Sequence, residues 1–163
     1  MFNKVSIISA ELDERSFAVL NQLRRAHFAP GRNYVDAHLT LFHHLPLELV
    51  LKTELFLPKE PFDVQLTRPF FMGAGTAIEV ESEKLRELRT QLANTFSSHL
   101  TAQDRRLKRF HVTVQNKVDP KDAKQFFEQF KSVWVPMEGK VTGLLFWEYL
   151  GGPWKLVKSE KFI

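Results

Sequence analysis

Two tetrapeptides, His38-Leu39-Thr40-Leu41 and His111-Val112-Thr113-Val114, repeat one pattern of histidine, apolar, threonine, apolar. They begin 73 residues apart in a chain of 163. In an extended strand, side chains two residues apart share a face. His38 and Thr40 therefore oppose Leu39 and Leu41, and His111 and Thr113 oppose Val112 and Val114. Two such strands facing one another bring two imidazoles and two hydroxyls around one cleft. Imidazole titrates near neutral pH, so either ring can give or take a proton. Rings on opposite sides of a phosphorus permit in-line attack and departure. The threonine hydroxyls can donate to the non-bridging oxygens as charge gathers there. The set is suited to opening a phosphodiester and requires no metal. One His-x-Thr is an ordinary polar strand face; two, at matching points of similar half-sequences, are hard to explain that way.

The elements that must position these strands follow the same order in both halves. A near-continuous apolar run predicts a strand over 5–12. Asp13 then caps an amphipathic helix carrying Phe17, Leu20, Leu23, Arg24 and Phe28, which Pro30-Gly31 ends. The first motif strand runs over 37–45 and stops at Pro46. A shorter helix follows over 47–56, then a loop marked by Pro58 and Pro61. Alternation predicts a strand over 62–71, and Gly73-x-Gly75 turns the chain into another over 76–80. Ser82 opens a long helix with Leu85, Leu88, Leu92 and Phe96 on its apolar stripe. The basic run Arg105-Arg106-Leu107-Lys108-Arg109 leads through Phe110 into the second motif. Asp119 caps a helix with Pro120 at its first position and Phe126, Phe127 and Phe130 near its apolar face. Strands over 140–150 and 154–162 close as a hairpin across Gly151-Gly152-Pro153. A duplication near 73 residues is too long for a solenoid repeat. It predicts an α+β fold of two lobes related by a pseudo-twofold axis. The chain reads as one domain over 1–163, with lobes over 1–75 and 76–163 and strands open to exchange between them.

Composition narrows the partners. The formal net charge is +4 and the pI about 9.4, a mild basic excess that favours a polyanion. The absence of cysteine removes disulfides, thiol catalysis and cysteine-ligated zinc. No run is long enough for a membrane helix, and Met1-Phe2-Asn3-Lys4-Val5 does not open a signal peptide. A cytoplasmic protein is expected. By alternation His44 shares the face of His38 and His43 that of Leu39. On that face His44 is placed to line the cleft, but several residues further along the strand it reads as a strand-end surface residue. His38, His43 and His44 lack the spacing of zinc motifs, with Asp36 the only near carboxylate, so no metal or other cofactor is expected. His27 and His99 fall near helix ends. Most of the fifteen phenylalanines must be core. Phe42 on the His38 face, and Trp147, Tyr149 or Trp154 near the final hairpin, are candidates to stack on a base. Tyr34 and Arg32 precede the first motif and can reach the cleft mouth. Arg68 and Arg109 are candidate phosphate contacts, with exposed charge as the competing reading.

The paired motifs and the order of elements resemble the 2H phosphoesterase superfamily. That group includes bacterial 2′-5′ RNA ligase-like proteins, cyclic phosphodiesterases and 2′,5′-oligoadenylate phosphodiesterases. The resemblance covers essentially the whole chain; its motifs specify the superfamily and not the substrate. It implies that His38 and His111 act as acid and base and that Thr40 and Thr113 hold the phosphate. It implies two antiparallel sheets around a central groove. The activity implied is a metal-independent phosphodiesterase acting on RNA ends or nucleotides, at 2′,3′-cyclic phosphates or 2′-5′ linkages. By microscopic reversibility the same site can run as a 2′-5′ RNA ligase. Many ligase-like members carry a basic residue, often Arg, shortly after the second motif. Here that strand face continues as Gln115 and Lys117, and Lys117 takes the place of the cation. The segment from Phe146 to Trp154 resembles a hairpin of some bacterial members. An RNA-binding module with an inactive histidine pair, and a cyclic phosphodiesterase acting on a small metabolite such as ADP-ribose cyclic phosphate, are the alternatives. The expected partner is RNA or a nucleotide, with no membrane, and the expected state is a monomer.

Overall fold

The structure, a computed structural model, describes residues 3–106 and 109–163. Met1 and Phe2 of the N-terminal segment, and Leu107 and Lys108 of the basic run, lie outside the described residues. The chain runs through β1 (Val5–Leu12), α1 (Glu14–His27), β2 (Leu39–Pro46), α2 (Leu47–Lys52), β3 (Phe62–Phe71) and β4 (Thr76–Glu81). It continues through α3 (Glu83–Thr95), α4 (Ala102–Arg105), β5 (His111–Gln115), α5 (Pro120–Val133), β6 (Met137–Tyr149) and β7 (Trp154–Lys161).

The caps act as their residue types require. Asp13 Oδ2 accepts the Ser16 N–H at 3.1 Å, and its Oδ1 accepts the Lys140 N–H at 2.7 Å, tying the start of α1 to β6. Ser82 Oγ accepts the Leu85 N–H at 3.1 Å, and Asp119 Oδ1 the Lys121 N–H at 2.9 Å. Each supplies an acceptor to an N–H that the first helical turn leaves unpaired. α2 ends at Lys52, earlier than its apolar pattern suggests: the backbone turns extended at Thr53, whose N–H and hydroxyl both donate to the Leu49 carbonyl and cap the last turn. The segment leading into the basic run is more structured than a loop: a 3-10 turn at Ser97–His99 is followed by α4, which takes in Arg105 and is capped by Thr101 Oγ1 on the Asp104 N–H at 3.3 Å. Four residues are too few to write a helical period into sequence.

The strands form one antiparallel ladder in the order β2-β1-β6-β3-β4-β5, with β7 also on β6. The thirteen residues of β6 join what the sequence presents as two sheets. β1 pairs 141–148 of β6, β7 pairs 143–149, and β3 pairs 137–141. A strand has two edges, so β3 and β7 follow one another along the edge that β1 leaves open. The strand groups are therefore not the two chain halves. β6 and β7 complete the group of β1 and β2, while β3 joins β4 and β5. The two motif strands end the ladder, yet β2 and β5 touch. Twist and coiling carry the edges of the sheet toward each other.

The core forms where Leu20 of α1, Val50 of α2, Leu85, Leu88 and Leu92 of α3 and Phe130 of α5 meet the apolar faces of the strands. Phe42, Phe96, Phe146 and Phe162 are its largest fully buried side chains, each contributing on the order of 2–3 kcal/mol by removal from water. His27 packs its ring on Phe126 at 4.5 Å and is half-buried. No helix among the described residues is long and apolar enough to cross a membrane.

Both motif strands carry an inserted residue just after the threonine. Thr40 pairs with Ser9, but the next β1 residue, Ile8, pairs with Phe42, so Leu41 is extra. Thr113 pairs with Ala77, but Thr76 pairs with Gln115, so Val114 is extra. A bulge of this kind turns the following side chain to the other face. Gly75 makes the second bulge possible: a Cβ there would sit 1.9 Å from the Gln115 carbonyl oxygen. Gly75→Ala is expected to cost about 1–3 kcal/mol, read by urea denaturation, with faster amide exchange in β5; unchanged stability would refute this reading of the turn.

Candidate active site

His38 sits immediately before β2 and His111 opens β5. Both rings are half-buried and held alike. Nδ1 of His38 donates to the Asp36 carbonyl at 2.7 Å, and Nδ1 of His111 to the Arg109 carbonyl at 2.8 Å. A carbonyl can only accept, so each Nδ1 carries hydrogen and Nε2 is the nitrogen that titrates. Each ring also leans on an aromatic. Trp154 lies 4.3 Å from His38 between centroids, and Phe70 meets His111 edge-on at 5.5 Å. The two histidines, Thr40 and Thr113 line one cavity of about 150 Å³, with His43, Arg89, Arg109 and Trp154.

Burial is the main force on His38. It pushes the imidazole down to about 4 from an ordinary 6.5, against the Asp36 carbonyl bond, which favours the charged form. The positive charge of Arg24, and that of His111 and His43 when protonated, push the same way as burial. In the unliganded protein at neutral pH, His38 is therefore an uncharged acceptor.

Two buried arginines, absent from the sequence-derived site, build the cleft walls. Arg24 of α1 donates from Nε to Asn33 Oδ1 and the Val35 carbonyl, both at 2.8 Å, and from Nη1 to the Thr113 carbonyl at 2.9 Å. It thus joins the segment before His38 to the strand of His111. Burial lowers its guanidinium to about 10, opposed by Asp36. Arg89 of α3 makes the reciprocal bond, from Nε to the Leu41 carbonyl at 3.3 Å, and its Nη2 donates to the Asp104 carbonyl. Each guanidinium also covers a phenylalanine, Phe28 at 4.1 Å and Phe42 at 4.3 Å. The signal was legible in retrospect. Arg24 and Arg89 stand one turn after Leu20 and Leu85, inside the apolar stripes of their helices.

The remaining candidates divide. A second cavity of about 340 Å³ shares His38, Thr113 and Trp154 with the first and is also lined by Arg24, Arg32, Lys117, Tyr34 and Tyr149. Lys117, at φ 60°, places Nζ 5.8 Å from the Tyr34 ring. Trp147 belongs elsewhere: its indole N–H donates to Ser9 Oγ at 2.9 Å, and it lines an apolar cavity of about 310 Å³ against His38. Phe42 does not face the cleft; the Leu41 bulge turns it into the core, fully buried. The Val114 bulge does the same to Gln115, which is 7% exposed. His43, placed with Leu39 by alternation, instead lines the cleft, while His44 is exposed. Arg109 reaches the cleft but also pairs with Glu79 at 2.9 Å; Arg68 pairs with Glu79 at 3.2 Å outside that cavity. Among the described residues no three His, Asp or Glu side chains group as a metal site would need.

Paired histidine strands at the meeting edges of a pseudo-symmetric antiparallel sheet are the architecture of a 2H phosphoesterase. The family comparison agrees: the model of the 2′-5′ RNA ligase superfamily matches residues 11–153, and the chain belongs to that superfamily. Solved structures share the fold along nearly the whole length. TT0787 of Thermus thermophilus matches with a TM-score of 0.63 at 17% identity, over 97% of both chains. A phosphoesterase matches at 0.63 and 14% identity, over 98% of both. E. coli LigT complexed with NADP+ matches at 0.58 and 15% identity, over 97% of both. LigT has also been solved with 3′-AMP and with ATP. No curated protein matches the chain in sequence.

Arg24→Met would leave the Val35, Thr113 and Asn33 acceptors without their charged donor. A loss of about 2–4 kcal/mol is expected in urea denaturation; a loss below about 1 kcal/mol would show that the clamp is dispensable. His38 gives a second test. An unfolded histidine binds its proton near 6.5, the folded one only near 4. As pH falls through that window the unfolded state takes up a proton that the folded state does not, so stability falls. Above 6.5 neither form is charged and the effect vanishes. His38→Gln should flatten the decline of Tm between pH 6.5 and 4; an unchanged slope would contradict the burial effect.

Proposed function

We propose that the protein is a metal-independent phosphodiesterase acting on RNA ends or nucleotides, at 2′,3′-cyclic phosphates or 2′-5′ linkages. One observation carries the reading: two imidazoles with matching Nδ1 anchors line one small cavity with two threonines. The phosphate lies between the rings. His38, uncharged down to about pH 4 in the free protein, takes a proton from the attacking water through Nε2 as its oxygen bonds to phosphorus. His111 gives the departing ribose oxygen a proton as its bond to phosphorus breaks. Thr40 and Thr113 donate to the non-bridging oxygens, where charge rises in the transition state. Run backward, with a ribose hydroxyl in the place of water, the steps form a 2′-5′ linkage.

The second cavity supports a nucleotide-type substrate. Arg24, Arg32 and Lys117 can receive further phosphate charge, and Tyr34, Tyr149 and Trp154 offer faces for a base. LigT, of the same fold, has been crystallised with three nucleotides, which favours that substrate class here.

Purified protein in EDTA should hydrolyse nucleoside 2′,3′-cyclic phosphates or 2′-5′-linked oligoadenylate. His38→Ala and His111→Ala should each lower kcat by about 10²–10⁴, and Thr113→Val by about 10². Lys117→Ala should raise KM severalfold and leave kcat nearly unchanged. Turnover that survives both histidine changes would overturn the mechanism. RNA binding by wild type without any turnover would instead favour a binding module.

A further inference from the structure

The cleft holds a third histidine with its own carboxylate. His43 lines the cavity of His38 and His111, and its side chain is 35% exposed. Its Nδ1 lies 3.1 Å from Oδ1 of Asp104 on α4, 61 residues later in the chain. The Asp104 carboxylate is buried and also accepts the backbone N–H groups of His43 and His44, at 3.0 Å each. Burial pushes the pKa of its carboxyl up, but these donors together hold it below the ordinary carboxylate range. An ionised carboxylate can only accept, so Nδ1 of His43 is the donor and Nε2 is the nitrogen left to the cavity. Arg89, which lines the same cavity, ties α4 to β2 by donating to the Asp104 carbonyl and the Leu41 carbonyl.

The two backbone bonds of Asp104 already pin α4 to β2. The bond to His43 adds a fixed ring orientation at a cleft wall, the arrangement by which a carboxylate aims an imidazole at a ligand. Position along the cleft is also set. Trp154 packs on His38 itself, whereas His43 stands five residues further along the chain, within β2. The second cavity shares His38, Thr113 and Trp154 with the first but not His43, so His43 lines the part of the cleft that the second cavity does not reach.

We propose that His43 is a substrate-binding residue, positioned by Asp104, whose Nε2 contacts a ribose hydroxyl or phosphate oxygen of a second nucleotide unit beyond the scissile phosphate. The proposal rests on the phosphodiesterase reading and deepens it: the cleft accepts a linkage flanked by nucleotides on both sides. A nucleoside 2′,3′-cyclic phosphate has no unit there, while a 2′-5′-linked adenylyl dinucleotide does.

The experiment compares wild type, His43→Ala, His43→Gln and Asp104→Asn on adenosine 2′,3′-cyclic phosphate and on the 2′-5′ dinucleotide, with direct binding titrations of both ligands. His43→Ala should raise KM and Kd for the dinucleotide about tenfold, a loss typical of one hydrogen bond to a polar ligand group. The constants for the dinucleotide should worsen several times more than those for the cyclic phosphate, and the difference between the two ligands is the signature read. His43→Gln, which keeps a hydrogen-bonding group at the end of the side chain, should recover most of the loss. Asp104→Asn should show the same split between ligands. Equal effects on both ligands, or none on either, would overturn the proposal. If wild type turns over neither ligand, the hydrolase reading fails, and the titrations still decide on His43: selective loss of dinucleotide binding supports it and unchanged binding refutes it.

Discussion

The cleft depends on two guanidinium groups buried where charge is costly. Arg24 and Arg89 are 5% and 7% exposed. A buried cation is tolerated only when its donors are used. Each finds acceptors at a motif strand of the opposite half: α1 reaches the Thr113 carbonyl of β5, and α3 reaches the Leu41 carbonyl of β2. Both acceptors lie at the bulges, where the ladder is locally interrupted. Each arginine takes a carbonyl of a strand that ends the ladder, and two edge strands become fixed walls of a shared cleft.

From that frame the electrostatics of the site follow. Bringing the edges together encloses His38 with the Arg24 charge and the second imidazole, and burial then favours its neutral form. The backbone carbonyls of Asp36 and Arg109 accept from Nδ1 of the two rings and set both tautomers. Where the protein does use a carboxylate to orient a ring, at Asp104 and His43, that pair stands further along β2. The cleft so combines two rings oriented by main chain with one oriented by a buried acid.

Much of this was legible in the residues. The two His-x-Thr strings, the caps at Asp13, Ser82 and Asp119, and the order of strands and helices follow from local spacing and side-chain chemistry. What strict alternation misplaces are the residues after each threonine. Phe42, His43 and Gln115 depend on Leu41 and Val114 being inserted, His44 on a further register shift opposite Ser6–Ile8, and the second bulge is set by its partner strand and by Gly75 on the adjoining turn. The sharing of β6 is likewise a long-range choice: the same apolar strand pairs both groups, and its length alone does not say with what. Arg24 and Arg89 carried a local signal, a cation within an apolar stripe. Asp104 carried none, because its partners lie 60 and 61 residues away.

The most direct test of the central claim, that two oppositely placed imidazoles with fixed tautomers act on one phosphate, is nitrogen-detected NMR of the histidine side chains. In the free protein, both His38 and His111 should carry hydrogen on Nδ1, with His38 titrating near pH 4. Addition of a nucleoside 2′- or 3′-monophosphate should shift Nε2 of both rings at the same ligand concentration. Rings protonated on Nε2 in the neutral state, or a response confined to one histidine, would contradict the account.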